Sequence, residues 1–79
     1  MSRKVEGTIK LWEKAKEIML VLGAKEETIK RNEEAIYSFL NEGRDDLALL
    51  LTSHVFNFWR EVRNKEIEKA AENWRLLGK

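Results

Sequence analysis

The stretch DDLALLLTSHVFNFWREVRNKEIEKAAENWRLL, Asp45 to Leu77, contains neither glycine nor proline and decides the fold. Asp45 and Asp46 suit a helix start, where carboxylates accept from unpaired backbone N–H groups and offset the positive end of the helix dipole. At about 100° per residue, Leu47, Ala48, Leu51, Val55, Phe58, Trp59 and Val62 fall within an arc of roughly 120° and form the predicted core stripe. Leu49 and Phe56 point away from it. Beyond Val62, the residues Ile67, Ala70, Ala71, Trp74 and Leu77 form an i, i+3, i+4, i+7 row, but that row lines up with Leu49 and Phe56. The apolar stripe therefore jumps by roughly a third of a turn near Arg63-Asn64.

Two architectures accommodate the jump. In one, Asn64 caps a separate fourth helix whose first turn holds Lys65 and Glu66. In the other, a single helix runs from Asp45 to Leu77, about 50 Å at 1.5 Å per residue, against about 30 Å for the first helical segment. The unbroken composition favours the long helix; the phase jump favours a break or kink near Asn64. A long helix leaves its far end with nothing intramolecular to cover it. A partner, most simply a second copy, is then needed to bury the row Leu49, Phe56, Ile67, Trp74 and Leu77.

Upstream, the same periodicity gives two shorter helices. From Ser2 to Leu22, the residues Leu11, Trp12, Ala15, Ile18, Met19 and Leu22 collapse onto one face. Gly7 costs about 1 kcal/mol relative to alanine inside a helix, so the first turn is expected to fray or start late. The second helix opens on Lys25-Glu26-Glu27-Thr28 and carries Ile29, Ala35, Ile36, Phe39 and Leu40, with Asn32 at its boundary. Gly23, Gly43 and Gly78 each follow a periodic segment, where a left-handed residue ends a helix. The prediction is an all-α bundle of three or four helices, one domain over residues 1–79. Its core is Leu11, Trp12, Ala15, Ile18, Met19, Leu22, Ile29, Ile36, Phe39, Leu40, Leu47, Leu51, Val55, Phe58 and Val62.

Composition narrows the function classes. The 79 residues include no cysteine and one histidine, which removes a disulfide framework and the ordinary Cys/His zinc sets. Fifteen Lys and Arg against fourteen Asp and Glu give a net charge of +1, so no strong field draws the chain to nucleic acid or an anionic membrane. The apolar runs Ile18–Leu22 and Leu47–Leu51 are far short of the ~18 residues of a membrane span, and no secretory pattern opens the chain. A soluble protein, cytoplasmic when expressed, is expected.

Reactive groups are few. His54 follows Thr52 and Ser53, but neighbouring helical residues diverge by about 100° and form no Ser-His pair, so His54 reads first as a structural boundary residue, then as a partner contact or pH-sensitive hydrogen bond, and last as a metal or haem ligand. The acidic pairs 26–27, 33–34 and 45–46 also point apart. No metal, nucleotide or phosphate motif is present, so an enzyme is not expected and no cofactor is assigned. Arg60, Arg63 and Lys65 beside Phe56 and Trp59 make a small basic and aromatic patch of the sort single strands stack on, which Glu61, Glu66 and Glu68 dilute.

The absence of proline and cysteine, the Glu/Lys-rich polar faces, the acids at helix starts and the glycines at helix stops resemble designed or engineered helical miniproteins. Gly7, Asn32, Asn57, Asn73 and Thr52-Ser53-His54 depart from that style. The resemblance implies a folding scaffold or a protein binder. The expected function is contact with another protein or a second copy through the third helix, at Leu49, Thr52, Phe56, Trp59, Arg60, Arg63, Ile67, Trp74 and Leu77. A small nucleic-acid-associated protein using Arg60, Arg63 and Lys65 is the alternative.

Overall fold

The computed structural model describes residues 3–77, with side chains as far as Arg75. It contains three helices, α1 (Arg3–Val21), α2 (Glu26–Asn41) and α3 (Asp45–Leu77), and the described residues form no strand. The all-α prediction holds. Of the two architectures for the third segment, the long helix is the one formed: α3 runs unbroken for 33 residues, and Asn64 caps nothing. The predicted stop at Gly78 and the side chain of Leu77 lie outside the described residues. Gly7 does not delay α1, which begins at Arg3; Thr8, fully buried one residue on, anchors the first turns by donating from Oγ1 to the Lys4 carbonyl at 2.7 Å.

Both connections are the same device. Gly23 and Gly43 each adopt φ 76°, a left-handed conformation that costs a residue with a Cβ. Around the first, the Ala24 N–H reaches the Met19 carbonyl at 2.8 Å and the Gly23 N–H reaches that of Leu20 at 3.2 Å. Around the second, Arg44 reaches Phe39 at 2.8 Å and Gly43 reaches Leu40 at 3.1 Å. This paired closure satisfies carbonyls the helix end would leave orphaned and turns the chain back sharply.

Two reversals make α1 and α3 parallel, with α2 antiparallel to both. Lys4 near the start of α1 bridges to Asp46 at 2.6 Å, while Ile18 and Val21 near its end line a cleft with Phe56 and Arg63. α1 packs more extensively on α3 than on α2. The core consists of Trp12, Ala15, Met19, Ile29, Ile36, Ala48 and Val55, with Ala24, Phe39, Leu40, Leu51, Phe56 and Trp59 packed around it.

The predicted stripe on α3 is misplaced in rotation. Leu47 and Phe58, expected in the core, are exposed, whereas Thr52 is fully buried and Phe56 packs on the core. The cause is Thr52, which the polar/apolar pattern puts outside. Its Oγ1 donates to the Ala48 carbonyl at 2.7 Å, so the hydroxyl needs no water and the residue packs as a small β-branched side chain. The buried face of α3 is thereby turned toward Phe56, the edge that α1 covers.

Candidate functional site

α1 ends beside Arg63, and α3 continues past it. Every residue from Asn64 to Arg75 is exposed, a projection that reaches about 21 Å by Leu77 at 1.5 Å per residue. On this overhang Ile67 is 57% and Trp74 78% exposed, with Ala70 and Ala71 between them on the same row. The row continues the edge of α3 on which Phe56 and Arg63 meet α1. It is the face α1 would cover were α1 longer. Val21, 78% exposed on the last turn of α1, stands at the foot of this lane.

The cleft at that foot, about 330 Å³, is lined by Lys14, Glu17, Ile18, Val21, Phe56 and Arg63. Arg63 lies half-buried there, its Nε enclosed and without a hydrogen-bond partner among the described residues. A second shallow groove, about 250 Å³, lies on the overhang over Ala71 between Glu68, Glu72 and Arg75. Neither Glu68 nor Arg75 forms an ion pair with another described residue. Only Glu66 and Lys69, 3.9 Å apart, pair along this part of the helix.

The predicted contact residues separate into three groups. Ile67 and Trp74 stand exposed together on the overhang. Phe56, Trp59 and Arg63 are partly buried against α1 and the core; Leu49 is also half-buried. Thr52 is fully buried and leaves the contact surface altogether. Arg60 holds its guanidinium over the Phe56 ring, 5.7 Å from the centroid, and Phe58 meets Trp59 edge to face at 5.5 Å. His54 is exposed rather than at the core boundary. Leu77, the remaining member, has its side chain outside the described residues.

The sequence reading missed a second exposed row on α3, Leu47, Leu50 and Phe58, of which Leu50 is 66% exposed. Two of the three had been spent on the core by the misplaced stripe. Only recognising Thr52 as buried could have exposed them, because that single residue sets the rotation of the helix.

One polar constellation lies away from α3. Glu33 Oε2 accepts from Trp12 Nε1 at 2.9 Å and from Lys16 Nζ at 3.2 Å, tying α1 to α2. The indole N–H, followed by the Lys16 ammonium, holds the Glu33 carboxyl below its ordinary value, against a smaller opposing effect of burial. Among the described residues no three His, Asp or Glu side chains converge as metal ligands, and no helix is long and apolar enough to cross a membrane. The chain matches no protein-family model, no curated protein and no solved structure.

Proposed function

We propose that the protein is a contact module of the designed helical-miniprotein kind, without catalytic function, which presents the overhanging half of α3 to another protein chain. One observation carries this reading: the α3 row with Ile67 and Trp74 projects beyond the last turn of α1 and is exposed, with no other described element packed on it. Apolar side chains on a rigid helix without intramolecular cover are characteristic of partner sites, and tryptophan is enriched at the residues that dominate such contacts. The α1–α2 hairpin then serves as the base that keeps α3 straight. The nucleic-acid alternative is weakened at its stacking platform, since Arg60 covers Phe56 and Arg63 is half-buried against α1.

The test compares the full chain with a row variant, Ile67→Lys with Trp74→Lys, and a control, Phe58→Lys, each checked for helicity by circular dichroism. Self-association by sedimentation and association with other proteins by quantitative crosslinking are both measured. The row variant should lose association by about thirtyfold or more, the loss of a ~2 kcal/mol anchor, while the control keeps it. A row variant indistinguishable from the parent in both measurements overturns the reading.

A further inference from the structure

We infer that the occupant of the overhang is the same segment of a second copy, laid antiparallel across a two-fold axis near Glu72; this rests on the contact reading above. Three features of the segment select that partner and that direction.

The first is the length of the lane. It is closed at one end by Val21, so a partner helix lying along it must stop before α1. Laid antiparallel about residue 72, the α3 of a second copy brings its Leu77 level with Ile67, four residues beyond Arg63. A parallel copy would set its own α1–α2 base alongside this molecule's base and bring two exposed Val21 residues together.

The second is shape. Ile67, Ala70, Trp74 and Leu77 follow the 3-4-3 spacing of a helix–helix seam. In an antiparallel pair centred near residue 72, Ala70 faces the partner's Trp74 and the partner's Ala70 faces Trp74. Each indole meets a methyl group, so the largest side chain of the row packs over one of the smallest. An isologous interface requires this reciprocity, residue i meeting j while j meets i.

The third is charge. Ala71 forms the floor of the groove between Glu68 and Arg75, and in this arrangement the partner's Ala71 lies across the same flank, about 3 Å further along the helix axis. Glu68 then comes level with the partner's Arg75, and Arg75 with the partner's Glu68, giving two equivalent ion pairs across the small-residue floor. Both groups lack an ion-pair partner among the described residues of one copy. Glu72, the acid on the axis, lies roughly 160° around the helix from Trp74 and faces away from its counterpart.

Sedimentation equilibrium of the full chain from micromolar to about 1 mM should show a reversible dimer of twice 9.3 kDa. Trp74→Glu should raise the dissociation constant about a hundredfold, while Glu68→Arg or Arg75→Glu alone should raise it about tenfold by setting like charges opposite one another at two sites. Combining Glu68→Arg with Arg75→Glu re-forms both pairs and should return the constant to within about threefold of the parent. All these positions are exposed, so helicity by circular dichroism should stay unchanged. A monomer throughout the range overturns the second-copy inference; foreign association lost in the row variant would still stand, so the two failures are distinguishable. A dimer lost with Trp74→Glu but not rescued by the charge exchange overturns the antiparallel arrangement, and one indifferent to Trp74→Glu overturns the site.

Discussion

At the scale of single residues, Glu33 shows how one side chain serves packing and charge together. It accepts the indole N–H of Trp12, a residue only 1% exposed, and so removes a donor that burial would otherwise penalise by about 1–3 kcal/mol. Its carboxyl is held below the ordinary value of 4.5 because the ionised form is the better acceptor. The stabilisation from this group is therefore complete at pH above 4.5 and disappears as the pH falls through the lower folded value. Thermal unfolding followed from pH 7 to pH 3 should show the parent losing stability faster than Glu33→Gln below that point. The glutamine variant keeps an acceptor for Trp12 but has no carboxylate to protonate, so parallel curves would mean that Glu33 does not couple folding to pH. Thr8 and Thr52 make the complementary point: a buried hydroxyl bonded to the carbonyl one turn back is satisfied without any tertiary partner.

At the scale of elements, α3 has two halves with different supports. From Ala48 to Trp59 it packs against α1 and α2, whereas from Asn64 to Arg75 it is held by its own backbone hydrogen bonds and one loose Glu66–Lys69 pair. Isolated helices of fewer than ~12–15 residues are marginal in water, so the far half depends on continuity with the near half. In micromolar solution, amide hydrogens from Glu66 to Arg75 should exchange at least about a hundredfold faster than those from Ala48 to Trp59. Hydrogen exchange read by mass spectrometry checks this, and equal protection of the two halves in a monomer would contradict it. The length of α3 was only half legible, since the absence of glycine and proline favoured one helix while the jump of the apolar stripe near Asn64 favoured a break; both left-handed glycines could be placed because each follows a periodic run. The rotation of α3 was not legible. Apolar counting treats threonine as a surface residue, and moving Thr52 inside turns the helix enough to expose Leu47 and Phe58 and to half-bury Leu49 and Phe56. The overhanging members, Ile67 and Trp74, were correctly read as exposed because no second element competes for that part of the helix.

At the scale of the whole molecule, the overhang makes the shape long: 56 × 25 × 15 Å, with a radius of gyration of 15.6 Å where a compact chain of this length would have about 12 Å. The parallel alignment of α1 and α3 has a consequence for the route by which the chain folds. The most extensive interface joins helices that are not neighbours in sequence, exemplified by Lys4 and Asp46, 42 positions apart. An α1–α2 hairpin formed first gains little, since those two helices share the smallest interface, whereas docking α1 on α3 closes in one step the loop that carries α2 and gains the largest one. The transition state should therefore contain α1 and α3 already docked, with α2 settling afterwards. In rapid-mixing chevrons, Val55→Ala on α3 should slow folding with a φ value of about 0.5 or more, while Ile36→Val on α2 should chiefly speed unfolding. The reverse order would place the first hairpin in the nucleus and make the docking of α3 the late event.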